Sequence, residues 1–170
     1  MTGCRILYHH RIRADDGQAV HVRELIGALR EEGHEVLECA LVQKAGLAAA
    51  PGVDARTRGK GGLWNRLRLP RGAIELLEIA YGRQGARRLC RAAAGFRPDF
   101  VYERHALHCD AGLRAARALG VPLLLEVNSP FVDEMAALGS LRFPRRARRT
   151  EREVLAGADV VFAVTGVLRD

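Results

Sequence analysis

Near the amino terminus Ile6, Leu7 and Tyr8 form a short apolar run, and beyond a polar loop Ala19, Val22, Leu25, Ile26 and Leu29 recur at three- and four-residue steps. The run predicts a strand and the recurrence predicts one face of a helix. Gly33 supplies the left-handed residue that stops such a helix, and residues 35–41 read as a second strand. From Gln43 to Arg71 the pattern breaks into alanines, glycines, prolines and basic residues, which predicts a basic, poorly structured insertion over 43–71. Residues 73–94 predict a long helix in which Ile74, Leu77, Ala80 and Tyr81 supply the early apolar face, Gly82 and Gly85 weaken the middle, Gly95 closes it and Pro98 bars its continuation.

The second half repeats one rhythm. Residues 99–104 predict a strand, 111–119 a helix stopped by Gly120, and 122–128 another strand. Helical segments between Val132 and Ala156 are interrupted near Gly139 and Pro144, and residues 159–164 form a last strand before Thr165, a residue suited to capping a further helix. Strands alternating with helices of these lengths predict an α/β chain with a Rossmann-like, doubly wound parallel sheet of about five strands and helices on both faces. The 170 residues fit one such domain. Ligands of these sheets bind beyond the carboxyl ends of the strands, where strand order reverses, so attention falls on residues 9–17, 104–108, 128–130 and Thr165.

Charge adds a bias rather than a site. The formal net charge is +7, with Lys44 and Lys60 the only lysines, which favours anionic surroundings in general; an arginine-rich, GC-rich composition explains it equally. Around the only tryptophan, Arg56, Arg58, Lys60, Arg66 and Arg68 make a basic and apolar strip that would suit an anionic membrane surface with Trp64 at headgroup level, or else a solvated loop. Aromatic residues make up only 5% of the chain, so no stacking set accompanies the charges and specific nucleic-acid binding is not expected. Cys4, Cys39, Cys90 and Cys109 show no metal-ligand or disulfide spacing. There is no signal-peptide pattern and no membrane-spanning run, and the expected location is cytoplasmic, with peripheral contact at the inner membrane face as an extension of the basic strip.

Candidate chemistry gathers at the predicted strand ends: His9, His10, Asp15, Asp16, Gln18 and His21 from the first loop and helix start, Glu103, Arg104 and His105 after the third strand, and Glu126 and Asn128 on the fourth. The amides of Gly17 to Val20 open a helix and lack intrahelical partners, so they present donors to an anion or a sugar hydroxyl. Gly17 equally suits a tight corner without any ligand. A second glycine follows only at Gly27, so the dinucleotide fingerprint is missing and a nicotinamide cofactor is not expected. Glu126, inside an apolar strand, needs a partner if it stays charged. Arg104 either holds an acidic substrate or balances Glu126, and His21 is either structural or a ligand contact.

These pieces resemble, in order, the amino-terminal domain of the family-4 glycosyltransferases, which have the GT-B fold of two facing Rossmann-like domains. The segment Gly17-Gln18-Ala19-Val20-His21-Val22-Arg23-Glu24-Leu25 is similar to that family's glycine loop and following helix. Gly33-His34-Glu35-Val36 resembles its helix-to-strand junction, and Pro98 to Arg104, Leu125 to Pro130 and Ala158 to Thr165 resemble its later strands. The resemblance implies transfer of a sugar from a nucleotide-sugar donor to a sugar or lipid-linked acceptor with retention of configuration and without a metal or other cofactor. It implies that the amino-terminal half holds the acceptor, with Gly17, Gln18, His21, Arg104, His105, Glu126, Asn128 and Thr165 as the substrate-binding set, and that a carboxyl-terminal domain binds the donor. Asn128 stands where relatives often carry a histidine, and Asp16-Gly17 where two glycines are common. No donor-binding domain is encoded within these residues, so the chain by itself is expected to be inactive. The competing reading is a stand-alone module that binds a nucleotide or sugar phosphate without chemistry.

Overall fold

The computed structural model describes residues 3–12, 17–40 and 70–164. In chain order the elements are β1 (Arg5–His10), α1 (Gly17–Glu31), β2 (Glu35–Ala40), α2 (Arg71–Phe96), β3 (Phe100–Arg104), α3 (Ala111–Leu119), β4 (Leu123–Val127), α4 (Phe131–Ala137), α5 (Pro144–Gly157) and β5 (Val160–Ala163). The strands form one five-stranded sheet in the order β2-β1-β3-β4-β5, parallel throughout. The α/β Rossmann-like fold expected from the sequence is therefore present, and its strand order reverses between β1 and β3. The basic strip, Asp15, Asp16 and Thr165 lie outside the described residues.

Two layers cover the sheet, and the larger core is on the side of α2, α3 and α5. There Leu7, Val101, Leu123 and Leu125 from the strands meet Leu89, Ala93, Leu113 and Val154 from the helices, all of them buried. Removing these side chains from water is the main favourable term in holding the layers together. On the opposite side α1 packs Val22 and Ile26 against Tyr8. Beyond α1 the edge strand β5 is open, with Phe162 44% exposed. Membrane-crossing length and apolarity are found in no helix among the described residues.

Several helix ends follow the sequence. Gly33 at φ +87° and Gly120 at φ +69° take the left-handed conformation in which a Cβ would be strained. The long helix departs from expectation at both ends. It passes through Gly95 and ends at Phe96, with Arg97 taking the left-handed turn at φ 51° and ψ 67°. Pro98 disfavours right-handed helical backbone in the residue before it, so the turn falls on Arg97 in spite of its side chain. Near its start, Ile74 and Leu77 are exposed and Ala80 faces solvent, while the buried stripe runs through Glu75, Tyr81, Gly82, Gly85, Ala86, Leu89 and Ala93. Gly82 and Gly85 belong to that stripe. A Cβ at Gly85 would stand 2.9 Å from Tyr81 Cε1 and 3.0 Å from Ala111 Cβ, so close approach of α3 offsets the poor helix propensity of glycine here.

Candidate functional site

The carboxyl ends of β1, β3 and β4 gather polar side chains, but the pleat divides them between two sides of the sheet, since successive residues of a strand point to opposite faces. His9 and Glu103 turn toward α2 and α3, whereas His10, Arg104 and Glu126 turn toward the side of α1. The single polar pocket that the sequence suggests is thus two clusters back to back.

On the α1 side the centre is Glu126, 2% exposed at the end of β4. Its Oε1 accepts from Arg104 NH1 at 2.9 Å and from Asn128 Nδ2 at 2.7 Å, with His21 Nε2 at 3.2 Å, and its Oε2 accepts from the Tyr102 hydroxyl at 3.0 Å. Burial, reinforced by the charge of Glu126, pushes the Tyr102 phenol far above its ordinary value, so it remains a donor at neutral pH. Tyr102 stacks on Tyr8 at 5.0 Å and lies beside Phe162 at 6.1 Å, which fixes its ring. One side of this cluster reaches water: the His21 side chain is 50% exposed while the Arg104 side chain is 10% exposed. His21 lies four residues after Gly17, about 6 Å along the helix axis, so the first turn of α1 borders the carboxylate.

On the other side Glu103, 1% exposed, is enclosed by protein. Its Oε1 lies 2.6 Å from His9 Nδ1, accepts the Gly112 amide at 3.0 Å and accepts the Cys109 thiol at 3.6 Å. The Tyr81 hydroxyl lies 3.2 Å from His9 Nε2. A proton on His9 Nδ1 completes the chain, with tyrosine donating to Nε2 and histidine donating to the carboxylate. Burial raises the Tyr81 phenol to about 12 and pushes the Cys109 thiol well up as well, so both hydrogens stay in place. His9, Glu103 and Cys109 bring ligand atoms within 4.8 Å of one another, a spacing that an ion could bridge. The Gly112 and His9 hydrogens already occupy the carboxylate oxygen nearest the thiol, and zinc requires that thiol as thiolate. The donor set fits a structural hydrogen-bond network better than a metal site.

The residues expected from sequence fall out as follows. Gly17 opens α1, and a Cβ there would meet nothing within 4 Å. Gln18 is exposed beside it. His21, Arg104, Glu126 and Asn128 come together, and Arg104 balances Glu126. His105 is near but separate: it is 6% exposed and tilted against Phe131 at 6.3 Å, and burial holds its imidazole below the ordinary value, so it is neutral at pH 7. His10 pairs instead with Glu38 at 2.9 Å. Tyr102 was missed by sequence reading although it sits at i−2 from Arg104, the spacing that puts two strand residues on one face. Cys109, Tyr81 and Gly112 gave no such signal, because loop and helix contacts across the sheet leave no period in the chain.

An α/β domain with a polar cluster at the carboxyl ends of parallel strands, beside an open helix start at the point where strand order reverses, is a ligand-binding arrangement of this fold. Residues 16–170 match the model of the glycosyl transferase 4-like domain, and the chain belongs to that family. Comparison with curated proteins finds no match. Among solved structures, the crystal structure of the glycosyltransferase SnogD from Streptomyces nogalater is similar at 25% identity and a TM-score of 0.48, over 96% of this chain and 46% of that one. The chain thus spans less than half the length of that relative.

Proposed function

We propose that this chain is the acceptor-binding, amino-terminal half of a retaining glycosyltransferase, a single Rossmann-like unit that works against a separate donor-binding domain of the GT-B kind. The observation that carries the reading is the Glu126 cluster. A carboxylate fixed by Arg104, Asn128, Tyr102 and His21 stands at the rim of the sheet with one exposed member. Rigid polar groups of this sort orient a hydroxyl at little entropic cost, while the amides opening α1 favour the phosphates of a nucleotide sugar. His21 is the member of the cluster best exposed to meet an acceptor hydroxyl, and Arg104 and Asn128 hold the carboxylate beneath it. Gln18, His105 and Thr165 complete the proposed substrate-binding set. Peripheral contact with an anionic membrane through Arg56, Arg58, Lys60, Trp64, Arg66 and Arg68 belongs to the same reading, and Trp64→Ala is expected to weaken co-sedimentation with anionic vesicles.

The test is a sugar-transfer assay on the complete enzyme with a panel of nucleotide-sugar donors, the product anomer being read by NMR. Transfer with retention is expected, and Glu126→Gln should lower kcat/KM about 100-fold, roughly 2.7 kcal/mol of transition-state stabilisation. Sustained turnover by this chain alone would overturn the division of labour. Binding without transfer by the complete enzyme would leave a module for nucleotides or sugar phosphates.

A further inference from the structure

On the far side of the sheet from Glu126, a pocket of about 90 Å³ opens between α2, α3 and α5. Its polar lining is Arg83, His108, Asp110, Arg114, Arg146 and Thr150. Asp110 is engaged by Arg114, whose Nε and NH2 both lie 2.7 Å from Oδ2. Arg83 and Arg146, from different helices, form no ion pair among the described residues, so the lining itself carries three guanidinium groups and one carboxylate, with the Glu75 carboxylate behind it. The three guanidinium groups are exposed, so water screens their mutual repulsion, and an anion entering between them meets several donors at once.

The walls of this pocket are fixed from behind. Glu75 of α2 is buried and accepts the backbone amides of Arg142 and Phe143 at 2.6 and 2.9 Å, just before α5 begins. The same carboxylate lies 3.2 Å from His108 Nε2, and the His108 side chain is fully buried with Nδ1 unpartnered. His108 adopts left-handed backbone at φ 56°. One carboxylate therefore clips α2, the loop before α3 and the start of α5 together, which fixes the backbone from which Arg83 and Arg146 extend. Preorganisation of this kind lowers the ordering cost of binding.

We propose that this pocket is a phosphomonoester site, distinct from the sugar-transfer cluster and independent of that reading. Pockets for whole drug-sized ligands run to roughly 300–1,000 Å³, so this volume suits a single tetrahedral dianion. Guanidinium groups recognise phosphate through paired, charge-assisted hydrogen bonds, and the Thr150 hydroxyl adds a neutral donor. The phosphoryl group comes either from a free phosphate compound or from a lipid headgroup, since both present the same oxygens.

Isothermal titration of the full chain with inorganic phosphate, against chloride at equal ionic strength, tests the proposal. Co-sedimentation with phosphatidylcholine vesicles, with and without phosphatidic acid, separates the two sources. Saturable binding is expected in at least one arm. Arg83→Ala and Arg146→Ala should each weaken it about tenfold at unchanged melting temperature, while Arg91→Ala, which removes an equal charge from an exposed position of α2 outside the pocket, leaves it unaltered. Glu75→Gln should weaken binding with every arginine still present. Failure of both arms to saturate, or affinity lowered equally by Arg91→Ala, overturns the site.

Discussion

Glu103 and Glu126 end neighbouring parallel strands at almost the same depth, 1% and 2% exposed, yet their surroundings are opposite in kind. Among the described residues, every hydrogen-bond partner of Glu103 is itself buried: His9, Cys109 and the Gly112 amide. Glu126 has partners that lead outward, ending in a half-exposed His21. Burial of a carboxylate therefore does not mark a functional site. What separates the two is whether the hydrogen-bond partners close on one another or continue to a surface that a ligand can reach.

The largest expected effect breaks that contrast from the sealed side. Glu103→Leu strands the His9 Nδ1 hydrogen and the Gly112 amide, and should cost about 3 kcal/mol. For a chain of this size that is a fall of roughly 6–12 °C in melting temperature. Glu126→Gln keeps its one oxygen for Arg104 and Asn128 while its amide nitrogen faces the Tyr102 hydroxyl, which can turn to accept, and its neighbourhood is open to water on one side. It should cost about 1 kcal/mol. Equal thermal shifts for the two variants would remove the distinction between sealed and open clusters.

A third buried carboxylate sharpens the comparison through pH. Burial by itself would raise Glu75, but two backbone amides and His108 outweigh it and hold the carboxyl below its ordinary 4.5. Because the folded-state value is the depressed one, the stability it contributes is fully present above 4.5 and is lost as pH falls through the folded value. Thermal melts at decreasing pH should therefore show an acid limb below about 4.5 that is shallower in Glu75→Gln. An identical limb in both proteins would mean that the clip between α2 and α5 contributes nothing in solution.

Much of this was legible in the chain, for physical reasons that also show where legibility stops. Strand number and parallel order follow from apolar runs alternating with helical periods, and Gly33 and Gly120 mark helix ends because only glycine enters the left-handed region without strain. Glu126 announced itself as a charge directly after Leu123-Leu124-Leu125, and of the two roles open to Arg104, holding an acidic substrate or balancing Glu126, the structure shows the pairing. The division of polar residues between faces was available from the pleat but was overridden by their common position at strand ends. Glu75 was hidden in another way. Its stripe carries glycines and alanines in place of large apolar residues, so Ile74 and Leu77 gave the stronger but misleading signal, and its partners lie 67 and 68 residues away.

The smallest structural effect gives the cleanest test of where the open cluster ends. Gly17 begins α1, and a Cβ there meets no atom within 4 Å among the described residues, so Gly17→Val should change stability by less than about 1 kcal/mol. Its amide and those of the next residues nevertheless stand one helical turn from His21, whose ring touches Glu126. A ligand spanning carboxylate and helix start must pass over Gly17, and the isopropyl group would occupy that path. In the complete enzyme the expected result is a loss of about tenfold in kcat/KM at unchanged melting temperature. Unaltered kinetics would confine the site to Glu126 and its four partners, because a Cβ at Gly17 meets no atom within 4 Å among the described residues.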